Sequence, residues 1–258
     1  MTKKEIRKQY RINKKNLKRS YRRHKTLVQN QYIQNLNDYY EQKGGRPSTN
    51  PPYRSVLEEI GNAVTHGLGS LFSVVAFIFM IIESHTIQQY VGAFVYFMGL
   101  FLMFTMSTLY HCFPYGSKVK RIFRRFDYSS IYLLIGATFA PILLCYIGGT
   151  IGTVFFAIQW GIIIMGITLI AVFGPTRLKF IHFPLYIILG WSGLFFLPNM
   201  IQHQMVLFGY ILSGGIIYTL GIIPFVIDKK ISHFIWHIFV MIGALVQWVG
   251  IYLCLYLG

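Results

Sequence analysis

Charged residues are scarce in this sequence outside one terminus, and cysteines are scarcer still. Charged side chains make up 12% of the 258 residues, whereas apolar and aromatic ones make up 54%. A water-soluble globule cannot easily combine that ratio with a polar surface, so a soluble enzyme domain is not expected. Cys112, Cys145 and Cys254 show no CxxC or paired spacing, which indicates neither a disulfide framework nor a thiolate metal site. We expect these thiols to be reduced and buried.

Positive charge is concentrated at the N-terminus, where residues 1–54 hold 15 of the 24 Lys and Arg and three of the eight acidic residues. We predict a basic, partly helical or disordered cytoplasmic tail over residues 1–43 and a Gly- and Pro-rich linker over residues 44–54. The tail is either a solvated arm that enforces topology or an arm that adheres to anionic inner-leaflet lipids. Charge is the only feature that would suit nucleic acid, which is not expected as a partner. Apolar residues recur along the tail at spacings compatible with one helical face: Ile6, Tyr10, Leu17, Tyr21, Val28 and Tyr32.

Beyond this tail the sequence consists of apolar runs, each close to the roughly 20 residues that a helix needs to cross a bilayer. Only helices and closed barrels satisfy the backbone in lipid, and these runs are too long and continuous for barrel strands. We therefore predict an all-α integral membrane protein, a seven-transmembrane helix bundle over residues 55–258. The predicted runs are Asn62–Ile82, Tyr90–Phe113, Tyr128–Ile147, Ile151–Phe173, Phe180–Leu197, Met205–Ile227 and Ile231–Leu257.

The basic residues between these runs alternate. The tail and the second, fourth and sixth loops carry Lys or Arg, whereas the odd-numbered loops, including Asn199–Gln204, and the C-terminus carry none. Because cytoplasmic loops hold the positive excess, we predict a cytoplasmic N-terminus and an outside C-terminus. No cleavable signal peptide is expected before the first run. The second loop is the most basic, with Lys118, Lys120, Arg121, Arg124 and Arg125.

Polar and ionisable residues within membrane helices are energetically expensive and therefore indicate functional sites. With the predicted orientation they all fall at the cytoplasmic ends of four helices. The first helix begins with Glu59, Asn62, Thr65 and His66, the second ends with Ser107 and His111, the third begins with Asp127 and Ser129, and the seventh begins with His233 and His237.

The histidines in this layer have the spacing of metal ligands. His233 and His237 are four residues apart and project from one helical face. His111 would complete a set of three imidazoles with an open coordination position, as in catalytic zinc sites. Zinc is the first expectation because imidazole suits it, with iron, copper and nickel as alternatives. Asp127 lies at a similar depth, where it would accept a hydrogen bond from a water on the metal or orient a ligand histidine.

For the other polar residues of the layer, a structural role is an alternative to a role in the metal site. Ser107 either joins the site or bonds its own helix backbone. Glu59 and Asn62 either support the site or bond free N–H groups at the start of the first helix. His66 is expected to pack through hydrogen bonds against a neighbouring helix. The remaining histidines have no partner by spacing and are not expected to be ligands: His24, His85, His182 and His203.

Four motifs in order resemble the bacterial hemolysin III branch of the progestin and adiponectin receptor family, over about residues 55–258. They are Glu59-x-x-Asn62-x-x-Thr65-His66, Ser107-x-x-Tyr110-His111, Asp127-x-Ser129 with Ala140-Pro141 downstream, and His233-x-x-x-His237. The resemblance implies a multi-pass protein of a bacterial plasma membrane. It also implies that His111, His233 and His237 bind zinc and that Asp127 contacts the zinc-bound water. Because the larger superfamily includes alkaline ceramidases, it suggests hydrolysis of a lipid amide.

Three functional hypotheses follow. The leading one is a zinc-dependent intramembrane hydrolase of a lipid amide or ester, with Asp127 as general base and Ser107 as an oxyanion donor. The second is a non-enzymatic, receptor-like regulator of membrane lipid or energetics in which zinc ties two helices together. The third, a pore suggested by the family name, ranks last because the chain has seven committed spans and no charged residues at mid-membrane.

Overall fold

The computed structural model describes residues 3–42, 51–52, 54–227, 229 and 231–257. All regular secondary structure in this part of the chain is helical. The chain divides into two compact units, Met1–Asn50 and Pro51–Gly258. The helices are α1 (Lys3–Gln42), α2 (Val56–Ile82), α3 (Ile87–Cys112), α4 (Lys118–Pro141), α5 (Gly149–Phe173), α6 (Lys179–Gly190), α7 (Leu197–His203), α8 (Met205–Ile227) and α9 (Ser232–Leu255). A π-helical segment, Ile142–Ile147, continues α4, and a 3₁₀ segment, Ser192–Phe196, joins α6 to α7.

The first unit contains the basic tail, and its described part is the single helix α1. The apolar residues for which the sequence predicts one helical face are exposed on it. Residues 44–50 and 53 of the predicted linker lie outside the described residues.

Among the described residues of the second unit, seven helical stretches are long and apolar enough to cross a membrane. They are α2, α3, α4 with its π-helical continuation, α5, the stretch from α6 through α7, α8 and α9. The prediction of an all-α, seven-span membrane protein is therefore confirmed, whereas the direction in which the termini face stays a prediction.

Two loops predicted from the sequence are helical instead. The fifth loop was expected at Asn199–Gln204, but α7 continues the fifth span to His203. The basic second loop is the beginning of α4, where the Ser117 side chain accepts a hydrogen bond from the backbone N–H of Lys120 at 3.0 Å. Lys120 and Arg124 are buried, because one face of the first turns of α4 packs against the protein.

Small residues allow the spans to approach one another closely, as is usual in membrane bundles. At Gly99 of α3, a Cβ atom would run into Ala137 of α4. α2 packs against both α3 and α9, so its polar first turns lie between the two helices that carry the predicted metal ligands. The three cysteines are free, and none is fully buried within the protein: Cys112 is exposed at the end of α3, and Cys145 and Cys254 are partly buried.

Candidate metal centre

The position of α2 is set by a capping box at its N-terminus. The backbone N–H of Glu58 donates to Ser55 Oγ at 3.3 Å, and the backbone N–H of Ser55 donates to Glu58 Oε2 at 2.9 Å. The helix therefore begins at Val56, almost two turns before the predicted start at Asn62. This early start puts Glu59 on a regular helix, on the turn before Asn62.

The same glutamate fixes the beginning of α9. Glu58 Oε1 accepts a hydrogen bond from the backbone N–H of Ile231 at 2.8 Å. Ile231 has a positive φ of 70°, a backbone conformation that costs free energy in a β-branched residue. Ser232 Oγ also accepts from the backbone N–H of Lys229 at 2.9 Å. These bonds hold the chain in the turn from which α9 presents His233 and His237.

The three predicted ligand histidines come together. One ring nitrogen from each of His111, His233 and His237 lies within 4.8 Å of the others. The ring centroids are 5.2 Å apart for His111 and His233, 4.9 Å for His111 and His237, and 4.8 Å for His233 and His237. One ion could contact all three rings.

Each of these rings has a nitrogen that is free to bind a metal ion. His111 Nε2, His233 Nε2 and His237 Nδ1 are buried and have no hydrogen-bond partner among the described residues. Buried polar atoms are nearly always paired, because burying an unpaired group costs about 1–3 kcal/mol. Three such nitrogens on neighbouring imidazoles match the donor set of a zinc site.

Glu59 contacts the His111 ring at Nδ1, the nitrogen opposite the unpartnered Nε2. Glu59 Oε2 lies 2.6 Å from His111 Nδ1, and Glu59 Oε1 lies 2.9 Å from Lys120 Nζ. Lys120 also donates to the backbone carbonyls of Tyr110 and Phe113, at 3.1 and 3.0 Å. A carboxylate that accepts from Nδ1 keeps the proton on that nitrogen and leaves Nε2 free as a ligand. The buried lysine balances the charge of the carboxylate.

Asn62 and His66 line the same layer from α2. Asn62 Nδ2 is 3.4 Å from His111 Nδ1. The ring of His66 stacks on His237, with 3.7 Å between centroids and an interplanar angle of 16°. Neither ring nitrogen of His66 makes a hydrogen bond of good geometry with a described residue, so the stacking on His237 is the contact that the structure shows for this side chain.

Asp127 of α4 and Ser107 of α3 lie close to each other, and Ser107 is one helical turn before His111. The Asp127 carboxyl lies near the Ser107 hydroxyl and within electrostatic range of His111 and Arg124. Ser107 Oγ is buried, and no described residue offers it a hydrogen bond of good geometry. It is therefore not bonded to the backbone of its own helix, which was the structural alternative for this residue.

Sequence reasoning missed two residues that hold this centre together, Glu58 and Lys120. A signal for Glu58 was available, since Ser55-x-x-Glu58 has the spacing of a capping box. None was available for Lys120, which is nine residues beyond His111 among other basic residues. His182, not expected to be a ligand, bonds elsewhere, with its Nδ1 3.0 Å from the Tyr132 hydroxyl.

The fold and this centre define a class: a seven-span helical membrane protein with a buried cluster of three histidines on its second and seventh spans. The family model of Haemolysin-III related proteins matches residues 54–248. The chain belongs to this family, and it is a multi-pass protein of a bacterial cell membrane.

Individual relatives agree with this assignment. Hemolysin-3 of Bacillus cereus is 38% identical over 197 residues, which cover 73% of this chain and 88% of the relative. A Hemolysin-3 homolog of Bacillus subtilis (strain 168) is 34% identical over 196 residues, 74% of this chain and 91% of the relative. The human Monocyte to macrophage differentiation factor is 27% identical over 220 residues, 82% of this chain and 90% of the relative.

Proposed function

We propose that this protein is a zinc-dependent hydrolase that cleaves a lipid amide or ester within the membrane, at its cytoplasmic side. The observation that carries the proposal is the set of three unpartnered imidazole nitrogens, with the Asp127 carboxyl within electrostatic range of His111 and close to the Ser107 hydroxyl. A structural metal needs no general base, whereas hydrolysis needs one within reach of the reacting atoms.

His111, His233 and His237 would hold the zinc and leave its fourth position open. Zinc bound there would lower the pKa of a water and polarise the carbonyl group of a substrate. Glu59 would keep the His111 ring oriented through Nδ1, with Lys120 balancing its charge. In this proposal both are positioning residues.

The remaining groups supply proton transfer and charge stabilisation. Asp127 would take a proton from the water that adds to the carbonyl carbon. The Ser107 hydroxyl would donate to the carbonyl oxygen as negative charge develops on it. Asp127 would then pass its proton to the leaving nitrogen or oxygen as the bond to the acyl carbon breaks. The products are a fatty acid and an amine or alcohol.

A lipid substrate is supported by an apolar cavity between α4, α6, α8 and α9. Its walls include Leu134, Phe139, Tyr186, Trp191, Tyr218 and Trp236. Trp236, one residue before His237 in α9, is one of the residues that line this cavity. Apolar walls of this kind suit an acyl chain rather than a polar substrate.

A receptor-like regulator with a structural metal is the second candidate. It is favoured by the arrangement of the helices, because the histidines come from α3 and α9 while α2 packs between them. A metal there would join two spans across a third. In that case removal of the metal would change stability, but the purified protein would release no product.

The deciding experiment combines metal analysis with a panel of acyl amides and esters on purified protein. Asp127→Asn should keep most of the zinc and lose hydrolysis, because the amide preserves size but takes no proton. His237→Ala should lose both. Full activity of Asp127→Asn would overturn the general-base role, and complete loss of its zinc would make Asp127 a ligand. If the wild-type protein binds zinc but neither it nor the variants form product, the metal has a structural role.

A further inference from the structure

The N-terminal helix α1 is built from an 11-residue repeat. Residues 3–13, 14–24 and 25–35 read KKEIRKQYRIN, KKNLKRSYRRH and KTLVQNQYIQN. The fourth position is always aliphatic, as Ile6, Leu17 and Val28. The eighth position is always tyrosine, as Tyr10, Tyr21 and Tyr32. The spacing of these residues predicts one helical face, and the repeat places an aliphatic residue and a tyrosine on that face in each copy.

The period of the repeat keeps this face nearly parallel to the helix axis. Eleven residues complete three turns at 3.67 residues per turn, close to the 3.6 of a regular helix. The aliphatic and tyrosine positions therefore form a narrow stripe that shifts by only about 20° per repeat. Over three repeats the stripe therefore stays on one side of the helix and can face a flat surface, whereas a heptad stripe shifts by about 20° in only seven residues.

The stripe is available for contact and lies beside positive charge. Its six side chains are 52–72% exposed. The first position of each repeat is lysine, and it follows the tyrosine of the preceding repeat by four residues on the helix surface. Lys14 Nζ accordingly lies 5.8 Å from the centre of the Tyr10 ring. Residues 3–25 contain 12 Lys and Arg and one acidic residue, Glu5.

We propose that α1 binds flat on an anionic phospholipid surface. The aliphatic and tyrosine side chains enter the headgroup layer, and the flanking lysines contact the lipid phosphates. Residues 43–55 connect α1 to the first span, so the helix is tethered to a bilayer at high local lipid concentration. This inference goes beyond the proposed hydrolase and does not depend on the metal.

Two other partners fit these observations less well. A second copy of α1 would bring two strongly positive helices together with only three acidic residues in each, Glu5, Asp38 and Glu41, to offset their repulsion. A nucleic acid would use the charge, but it would need no aliphatic stripe in register with the tyrosines.

Hydrogen exchange of the full chain in lipid nanodiscs tests the proposal. Amides of residues 3–35 should exchange at least about tenfold more slowly in discs of phosphatidylcholine and phosphatidylglycerol than in discs of phosphatidylcholine alone. Raising NaCl from about 0.1 M to about 0.5 M should reduce the protection, because salt screens the contact between lysine and phosphate.

A matched pair of double variants isolates the stripe. Ile6→Ser with Leu17→Ser removes two stripe residues, whereas Ile12→Ser with Leu27→Ser makes the same chemical changes on exposed side chains off the stripe. The first pair should lose the protection given by phosphatidylglycerol and the second should keep it. Equal loss in both pairs, or equal protection in both kinds of disc, would overturn the proposal. So would protection that depends on added RNA, or on a second copy in the disc, rather than on anionic lipid.

Discussion

At the scale of single residues, Glu59 links a proposed ligand to a buried positive charge. Glu59→Gln keeps the size of the side chain but removes the charge that pairs with Lys120. We expect metal affinity to fall about 10- to 100-fold, because His111 loses the carboxylate that orients it. We also expect the free energy of unfolding to fall by about 3 kcal/mol, because a buried ammonium loses its partner. Metal titration and thermal unfolding in detergent measure the two effects.

A second variant separates these effects. Adding Lys120→Met to Glu59→Gln removes the unpaired charge and should restore most of the stability. Metal affinity should stay low, since His111 still lacks a carboxylate on Nδ1. If the double variant recovered its affinity as well, Glu59 would act only through charge balance.

At the scale of the helices, α9 begins at a strained residue. Ile231→Gly should stabilise the protein by about 1 kcal/mol, because glycine adopts a positive φ without the steric cost that isoleucine bears. Ile235→Gly is a matched control within α9, where glycine should cost about 1 kcal/mol. Unfolding temperatures of the two variants should move in opposite directions. A fall in both would show that Ile231 contributes more by packing than it costs in strain.

The contact between α3 and α4 gives another test at this scale. Gly99→Ala places a methyl group against Ala137 and should destabilise the protein by about 1–3 kcal/mol. At Gly161 of α5 a Cβ atom meets nothing within 4 Å, so Gly161→Ala should be neutral or stabilising by up to about 1 kcal/mol. Thermal unfolding of the two purified variants in one detergent compares them. Equal unfolding temperatures would mean that α3 and α4 can move apart at little cost.

The seven spans were predictable from the sequence because each requires only a long apolar run, which is visible without knowledge of its neighbours. The beginnings of α2 and α4 lie outside the apolar runs, because their first turns contain charged residues; the capping-box spacing of Ser55 and Glu58 was the available signal for α2. The histidine cluster could be proposed from spacing and depth. The ion pair between Glu59 and Lys120 could not, because it joins two spans through a contact that no local pattern encodes.

At the scale of the whole molecule, the alternation of basic segments predicts an N-terminus inside and a C-terminus outside. A reporter fused after Gly258 should be active if it functions only outside the cytoplasm, and the same reporter fused before Met1 should be silent. Activity of a cytoplasmic reporter at the C-terminus would mean that one of the seven stretches does not cross the membrane. The break between α6 and α7 makes the fifth stretch the first to re-examine.

The distribution of the centre along the chain has a consequence for biosynthesis. Glu59 is made with the first span and His111 with the second, but His233 and His237 are made with the last. A chain emerging from the ribosome can therefore form the Glu59–Lys120 pair early, whereas the set of three imidazoles is complete only after the seventh span has been made. A metal ion would then bind to all three histidines only after synthesis and insertion are complete. In a chain that ends before Ser232, His111 would lack the other two histidines.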